Sequence, residues 1–388
     1  MARTLVNIIS AQTIPNYIFI KDFYVEGDSL LFFTSSTMIK PLKYILDTLG
    51  LSDKDVEIHQ LTEENWRVMC QEIASVIKPD VNYLVNTTGG TKYMSMAVSE
   101  EFHKHPNADF FYIPYPKNVY LKTSEKAIPI KHRVSIKEYM GITKGVEYSV
   151  KQCVEKRDYV YAFFERYINM SQDELLILDK IRTNFRNQKF EIEDIDTVCK
   201  EPTFIVKNPD TKKEKRYVFE QVNGLNVLLD KIQFPFTEDN KLNSKEIEFL
   251  TGGWYEEYMY YLIEDKIQPD DIALGVFIKQ SENTNTNDLD VVFTKGNKLF
   301  VIECKTAITK TQFKGVEAMF KEISYKSATL KATLLGLPSN SYICSLNESD
   351  ESFKKIAQKM GIIYYDRSYF TDPTKQKSFI SDIIKQAY

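Results

Sequence analysis

The chain has 388 residues, of which 43% are hydrophobic and 27% are charged, and its formal net charge at pH 7 is −4. This length suits two domains with a connector, and the hydrophobic content is enough for packed cores, so a largely disordered chain is excluded. The acidic net charge argues against a protein whose whole surface binds duplex nucleic acid. A site for a polyanion must therefore be local.

The cysteines and the N-terminus indicate the compartment. Five cysteines stand at positions 70, 153, 199, 304 and 344 without a CxxC pair, which fits neither a disulfide framework nor a zinc site. The sequence has no apolar run of about 18 residues, the length that a membrane helix needs, and its N-terminus is too polar for a signal peptide. We therefore expect a cytoplasmic protein without a membrane partner.

The first 125 residues alternate short apolar runs with amphipathic stretches. Strands are predicted at 4–10, 29–34, 55–60, 81–86 and 109–115, and helices at 37–49, 64–78 and 91–104. This alternation builds a mostly parallel sheet covered by helices, so we expect a Rossmann-like domain. Residues 118–139 show an alternating pattern with turn residues, which predicts an antiparallel extension of the sheet edge without a helix.

The remaining chain predicts a connector and a second α/β domain. Residues 150–185 have a helical period, and 186–245 mix short strands such as 216–221 with charged turns such as the segment 207–216, which indicates a solvated hairpin. After position 246 strands are predicted at 272–279, 288–294, 298–304, 340–345 and 361–365, and helices at 254–265, 313–335, 351–360 and 376–386. The expected domains are 1–145, 146–245 as a connector of uncertain fold, and 246–388.

The strongest chemical signal is a β-hairpin near the C-terminus. If the Gly-Asn pair at 296–297 forms a two-residue turn, paired residues have numbers that sum to 593, so Asp290 lies across from Glu303 and Asp288 across from Lys305. Side chains alternate along a strand, so these four project from one polar face. The opposite face is expected to be core and carries Leu289, Val291, Ile302 and Cys304.

Opposed carboxylates point to a metal ion. Across a ladder their Cβ atoms are about 4.5–5.5 Å apart, and the repulsion requires a neutralising group. Mg²⁺ and Mn²⁺ prefer oxygen ligands, lower the pKa of bound water and stabilise charge on a phosphodiester, while a lysine orients the nucleophile. The alternative is a surface hairpin with ordinary ion pairs, but charges on a strand as apolar as 299–305 need a reason.

These residues resemble the PD-(D/E)XK nuclease superfamily, in which an Asp on one strand precedes Glu-x-Lys on the next. Asp290, Glu303 and Lys305 match that pattern. The resemblance implies that both acids are metal ligands, that the lysine orients water, and that the domain has a restriction-endonuclease-like α/β fold.

Two further groups follow from the same resemblance. Related nucleases often add a Glu from an upstream helix, and Glu256 fits that spacing better, with Glu257 left open; both could equally be solvated on an amphipathic helix. Lys326 is an accessory basic candidate. The stretch 305–331 holds six lysines and two glutamates, a modest local basic patch for phosphate.

The second constellation is the loop 85–92, which lies between a predicted strand and a predicted helix. Its glycines let the backbone approach a ligand, and the helix N-terminus favours phosphate. Neither the Walker spacing nor GxGxxG is present, so ATP hydrolysis and dinucleotide binding are not indicated. The alternative is a structural Gly-Gly turn with Thr91 as the helix cap.

This loop, together with the runs at 5–16 and 30–37, resembles the CARF domain, the Rossmann-like sensor of cyclic oligoadenylates in type III CRISPR systems. The resemblance implies a ligand pocket at the carboxyl ends of parallel strands, where open α/β sheets bind ligands. The pocket would be lined by Ser10, Gln12, Thr13, Thr34, Ser35, Thr37, Asn86, Thr87, Thr88, Gly89, Gly90, Thr91 and Lys92.

The two resemblances together indicate a single-CARF ancillary nuclease of type III CRISPR defence. They imply a homodimer that is activated by cyclic tetra-adenylate and cuts DNA, RNA or both with Mn²⁺ or Mg²⁺. A twofold-symmetric ligand suits an isologous pocket. Two rivals remain: a ligand-responsive regulator that binds nucleic acid without cutting it and, ranked lower, a small-molecule Rossmann enzyme.

Overall fold

A computed structural model describes most of the chain. It covers residues 2–114, 117–122, 126–144, 148–186, 191–194, 197–198, 201–207, 214–218, 225–235, 244–278, 287–306, 339–348, 351–359 and 361–387. None of the helices in these ranges is both long enough and apolar enough to cross a bilayer.

The N-terminal sheet has seven strands in the order β3-β2-β1-β4-β5-β6-β7. The strands are β1 (Ala2–Ile8), β2 (Ser29–Thr34), β3 (Glu57–Gln60), β4 (Val81–Asn86), β5 (Ala108–Tyr112), β6 (Val119–Lys122) and β7 (Ile128–Pro129). Strands β1 to β5 are parallel, and β6 and β7 continue the edge antiparallel. The predicted Rossmann-like domain and its antiparallel extension are confirmed.

Five helices accompany this sheet. They are α1 (Ile14–Phe23), α2 (Ile39–Leu49), α3 (Trp66–Val76), α4 (Lys92–His103) and α5 (Ile136–Lys144). The sequence did not predict α1, because the helix is buried on all sides and lacks an amphipathic period: Tyr17 to Ile20 are no more than 3% exposed.

The expectation of no helix in 118–139 was wrong at its end, where α5 begins. Ser135 Oγ accepts the backbone N–H of Glu138, and the Glu138 carboxylate accepts the backbone N–H of Ser135. This is a capping box, and its Ser-x-x-Glu signature is visible in the sequence.

The middle of the chain contains helices and a small sheet. Its elements are β8 (Tyr148–Lys151), α6 (Arg157–Ile168), α7 (Gln172–Arg186), β9 (Glu191–Asp194), β10 (Thr197–Val198), β11 (Glu201–Lys207), β12 (Glu214–Val218) and α8 (Leu225–Lys231). Strands β11 and β12 pair antiparallel on either side of the charged segment 208–213, which lies outside the described residues.

The C-terminal sheet has six strands in the order β17-β16-β15-β14-β13-β8. The strands after β8 are β13 (Asp271–Ile278), β14 (Asn287–Lys295), β15 (Lys298–Lys305), β16 (Ser339–Ser345) and β17 (Ile363–Tyr365). The helices are α9 (Ser244–Glu248), α10 (Trp254–Ile267), α11 (Glu351–Lys359), α12 (Ser368–Thr371) and α13 (Pro373–Ala387). The second α/β domain is confirmed, while the predicted helix at 313–335 lies outside the described residues.

Both faces of the C-terminal sheet are covered, so the expectation of one polar face was wrong. Ile302 and Cys304 pack into a core with Trp254 of α10. On the opposite face, Val292 and Val301 share a second core with residues of α1 and α5. The two acids lie beyond this covered part, past the Val291–Ile302 pair at the end of the ladder between β14 and β15.

Leu289 also departs from the prediction, since it packs in the second core and not with Val291. Strand β13 is interrupted beside it: Gly275 has φ +55°, and the pairing of β13 with β8 shifts register there. A kink at this point changes which side of the sheet the following side chains face.

Replacement of Phe19 tests the buried helix α1. Phe19 is fully buried against Phe111 and Tyr120, so Phe19→Ala is expected to cost about 3–5 kcal/mol of unfolding free energy. Val25 lies just after the helix and is 57% exposed, so Val25→Ala should change it by about 0.5 kcal/mol or less. Urea unfolding measures both, and equal losses would contradict the placement.

Candidate active site

The predicted register of the hairpin is confirmed. Val291 pairs with Ile302 and Lys295 with Lys298, so paired residue numbers sum to 593 as expected. The turn residues Gly296 and Asn297 have φ of 58° and 60°. Two successive left-handed residues form the turn that matches the twist of a hairpin, and Asn and Gly tolerate this conformation best.

Three charged groups meet at the open end of this hairpin. Asp290 and Glu303 are 7% and 5% exposed. Lys305 Nζ donates to Glu303 Oε1 at 2.7 Å and lies 3.8 Å from Asp290 Oδ2. Asp290 Oδ2 also accepts the backbone N–H of Cys304 at 2.7 Å. The structure thus brings together the predicted Asp, Glu and Lys, whereas the side chain of Asp288 lies outside the described residues.

Lys305 is held in its charged form. Burial alone lowers the pKa of this amine, but the charges of Asp290 and Glu303 and the hydrogen bond to Glu303 raise it above its usual range. A lysine that stays protonated donates hydrogen bonds and does not serve as a base.

The donor set fits a hard divalent cation. Two carboxylates that are nearly removed from water stand at neighbouring strands, and their oxygens are the ligands that Mg²⁺ and Mn²⁺ prefer. One amine lies close to both. Among the described residues, a compact group of three acidic or thiol ligand atoms occurs elsewhere, at Cys70, Glu100 and Glu101, where Lys104 already pairs with both glutamates.

Glu256 and Glu257 have different environments. Glu257 is 3% exposed and accepts the backbone N–H groups of Val154 and Glu155 at 2.8 and 3.1 Å, so it anchors the connector. Glu256 is more exposed and lies 3.7 Å from Lys151 Nζ. The pKa of the buried Cys304 thiol is raised by burial and then by charges that include Asp290 and Glu256, so Glu256 lies near the part of β15 that contains Cys304.

Lys151 of β8 is a neighbour of Glu256 that the sequence analysis missed. Its Nζ lies 3.0 Å from Glu248 and 3.7 Å from Glu256, and its stem crosses Gly275, where a Cβ would come within 2.5 Å of it. A lone glycine inside the strand 271–278 is a signal of such a close approach. The glycine does not reveal which residue approaches it, because that depends on the pairing of β13 with β8.

Lys326 and the other lysines predicted for the basic patch after Lys305 lie outside the described residues. Their predicted role in phosphate binding stays a prediction.

The predicted ligand residues lie on three adjacent strands of the N-terminal sheet. Ser10, Gln12 and Thr13 follow β1, Thr34 ends β2 with Ser35 and Thr37 after it, and Asn86 ends β4. Because the order is β2-β1-β4 and the strands are parallel, all three loops emerge at one edge. Gln12, Thr37, Thr91 and Lys92 are exposed there, whereas Thr13, Thr34, Ser35 and Asn86 are buried.

Parts of the loop 87–91 have structural roles. Thr91 Oγ1 caps α4 by accepting the N–H of Met94. Thr87 Oγ1 donates to Phe111 O, and Thr88 Oγ1 accepts the N–H of Ile113, so both hydroxyls hold the end of β5.

The two glycines pack against β1. A Cβ at Gly89 would lie 1.9 Å from Ile8 O, and one at Gly90 would lie 2.3 Å from Ile8 Cγ2. Gly90 also has φ +76°. This loop therefore requires glycine for contact with β1, in addition to any contact with a ligand.

Buried asparagines beneath these loops were also missed. Asn86 Nδ2 donates to Asn16 Oδ1 of α1 at 3.0 Å, and Asn16 Nδ2 donates to Ile8 O at 2.9 Å. Within the described part of the chain, Asn7 Nδ2 and Thr13 Oγ1 are buried without a hydrogen-bond partner. Buried polar atoms are rarely left so; among the described residues others occur in the C-terminal domain, at Tyr255 and Thr294.

Comparison with known proteins identifies both domains. Residues 4–139 match a family model described as the Card1 CARF domain, and residues 243–369 match one described as the Card1-like endonuclease domain. The chain therefore combines a CARF domain with a Card1-like endonuclease domain. The resemblance to CRISPR ancillary nucleases that its motifs carry is thereby confirmed. No curated protein sequence matches this CARF–endonuclease chain.

Two solved structures share the fold of this CARF–endonuclease chain over its whole length. The protein VC1899 from Vibrio cholerae is 16% identical with a TM-score of 0.71, and the match covers 99% of this chain and 98% of that one. Can2 from Sulfobacillus thermosulfidooxidans, solved in complex with cyclic tetra-adenylate, is 18% identical with a TM-score of 0.67 and coverages of 100% and 99%. Identities this low show a common fold.

Exchange of the two helix glutamates separates their roles in the endonuclease domain. Glu257→Gln places an amide N–H₂ against one of two backbone donors, so we expect a loss of about 1–3 kcal/mol in unfolding free energy. Glu256→Gln should change it by about 0.5 kcal/mol or less. Urea unfolding followed by tryptophan fluorescence measures both. An equal loss for Glu256→Gln would show that the two roles are wrongly assigned.

A cluster of acids predicts a pH dependence. Burial and the charges of Glu257 and Glu246 raise the pKa of Glu155 to about 7, and burial raises that of Glu257 to about 7. Because folded-state pKa values above those of the unfolded chain favour the protonated form, this stability is full below about pH 4.5 and is lost as the pH rises through 7.

The matched variant is Glu155→Gln, which removes one of these carboxylates. Thermal midpoints measured from pH 5 to 8 should fall less steeply with pH for the variant than for the wild type. If the thermal midpoints of the variant and the wild type fall equally with pH, the raised pKa of Glu155 is contradicted.

Proposed function

We propose that the protein is a cyclic tetra-adenylate-activated, metal-dependent endonuclease of type III CRISPR defence. The observation that carries the proposal is the convergence of Asp290, Glu303 and Lys305 at the end of one hairpin, in a chain whose other half is a CARF domain. The arrangement supports a PD-(D/E)XK site.

Asp290 and Glu303 would hold Mn²⁺ or Mg²⁺, with Glu256 close enough in the fold to assist. When bound, such an ion lowers the pKa of water and stabilises negative charge on the phosphodiester. Asp290 is kept in position by the backbone N–H of Cys304, and the register of the hairpin sets the spacing of the two acids.

Lys305 acts as a permanent cation in this site. Its raised pKa keeps the ammonium group charged, so it donates hydrogen bonds to the attacking water and offsets the charge of the phosphate. Lys151 pairs with Glu248 and Glu256 and so offsets the charge that Glu256 would bring to a metal site.

The activator would bind at the strand ends of the CARF domain. Support comes from three adjacent polar loops, from the start of α4 and from the two buried polar atoms of Asn7 and Thr13. Can2, which has the same fold, is bound to cyclic tetra-adenylate. Large apolar side chains next to these loops are unusually exposed, namely Ile39, Tyr93 and Met96, which supports a homodimer formed across the pocket.

A cleavage assay tests the proposal. The protein is incubated with supercoiled DNA, single-stranded DNA or RNA in Mn²⁺, in Mg²⁺ or in EDTA, each with and without cyclic tetra-adenylate. We expect cleavage that requires metal and rises with the activator. Because a metal ligand contributes several kcal/mol, Asp290→Asn and Glu303→Gln should each reduce the rate by at least about 100-fold.

The control is Glu348→Gln, an 85% exposed carboxylate, which should cleave like the wild type. If Glu303→Gln cleaves as fast as the wild type, the metal site is wrong. Binding of nucleic acid that depends on the activator and survives Asp290→Asn, with no cleavage by the wild type, would instead establish the non-catalytic regulator.

A further inference from the structure

The turn of the catalytic hairpin is held by the sensor domain. Asn297 Oδ1 accepts the N–H of Val134 at 2.9 Å, and Asn297 Nδ2 donates to Asn118 Oδ1 and His132 O, each at 3.2 Å. Asn118 Nδ2 donates in turn to Gly296 O at 2.9 Å. Four hydrogen bonds therefore join the two-residue turn to the segment 118–134 of the N-terminal domain.

This turn is also closely packed. Asn297 is 8% exposed, and a Cβ at Gly296 would lie 2.3 Å from Ala387 O and 2.9 Å from Asn118 Nδ2. A hairpin turn normally lies in solvent, and polar groups buried here have little freedom to find other partners. These hydrogen bonds depend on the orientation of the turn, whereas the apolar core that also joins the domains is non-directional.

The hairpin connects this contact to the metal site. Asn297 directly precedes β15, and Glu303 lies six residues further along, which is about 20 Å at the rise of a strand. The ladder between them is regular from Lys295 to Val291. A shift of the turn therefore moves the strand ends that carry Asp290 and Glu303.

The segment that holds Asn297 is itself held by α1. The Asp22 carboxylate accepts the N–H groups of Lys131 at 3.0 Å and His132 at 2.7 Å. On the other side of Val134, Tyr17 OH donates to Glu138 Oε1 at 2.7 Å. Asp22 thus holds the backbone before Val134 directly, and Tyr17 contacts Glu138, whose carboxylate accepts the N–H of Ser135 after it.

Helix α1 begins at the predicted ligand loop. Thr13 occupies its N-cap position, and Asn16 in its first turn accepts a hydrogen bond from Asn86, the last residue of β4 before the loop 87–91. A ligand that moves either loop acts on α1 directly. The contacts are continuous from the sensor loops through α1 and segment 130–138 to the turn.

We propose that Asn297 is a positioning residue through which the sensor domain sets the position of the strands that carry Asp290 and Glu303. The inference deepens the proposed function and rests on it, because it assigns the route by which the activator controls the nuclease. Asn297 touches neither ligand nor substrate.

The main variant is Asn297→Gly, because glycine keeps the left-handed turn and removes three of the four hydrogen bonds. The matched control is Gln268→Gly, an exposed left-handed residue with φ 51° at the end of α10. Asn118→Ala is the second variant. This variant removes the hydrogen bonds that Asn118 makes to the turn and leaves the two left-handed residues unchanged. Thermal midpoints establish that each variant is folded.

Two measurements are made on the full-length protein. One is the ratio of cleavage rates with and without cyclic tetra-adenylate. The other is hydrogen exchange of peptides that contain Cys304, whose N–H is bonded to Asp290, with and without the activator. We expect Asn297→Gly and Asn118→Ala to lower the ratio at least about fivefold, the lower end of usual coupling between sites, and to abolish the exchange response. Gln268→Gly should behave like the wild type.

The outcomes separate the two proposals. If folded Asn297→Gly keeps both the stimulation and the exchange response of the wild type, the positioning role is overturned. If the activator changes exchange at Cys304 in the wild type and not in the variant, but no substrate is cut, the route stands and the nuclease activity fails. A wild type in which the activator changes neither quantity overturns both.

Discussion

Two carboxylates that are nearly removed from water on neighbouring strands are the constraint on which the active-site half of the molecule depends. Such charges repel, and here one amine and one backbone N–H are their observed partners. A buried charge without a partner is costly. The surrounding structure must therefore hold the two carboxylates and their partners in fixed positions. This structure consists of the two-residue turn, the regular ladder and a sheet covered on both faces.

The covered sheet has a consequence for the relation between the domains. Val292 and Val301 belong to the same core as Ile18 and Tyr139 of the sensor, so sensor and nuclease do not meet as two polar surfaces. Apolar packing keeps the domains together, while the hydrogen bonds of Asn297 fix the orientation of the hairpin turn relative to the segment 118–134. Both the apolar core and the contacts at Asn297 therefore join the sensor domain to the hairpin that carries Asp290 and Glu303.

Residues next to each other in the sequence divide the work of the endonuclease domain. Glu257 anchors the connector at Val154 and Glu155, while Glu256 one position earlier lies with Lys151 at the edge of the catalytic sheet. The loop at 87–91 shows the same division. Its glycines and threonine hydroxyls are occupied by β1, β5 and α4, so the groups left for the proposed ligand are the exposed ones.

The sequence alone determined the alternation of strands and helices in the two α/β domains apart from α1 and α5, and it determined the turn at 296–297 with the register from Lys295–Lys298 to Val291–Ile302, because turn chemistry and side-chain alternation are local properties. It missed α1, since a helix buried on every side has no period. It also assigned a polar face to a sheet that a second domain covers. Only the tertiary structure decided that the N-terminal domain covers this sheet, that the Lys151 side chain passes over Gly275, and that Asn118 bonds to the hairpin turn. Each joins residues more than 100 positions apart, and no local pattern records such a contact.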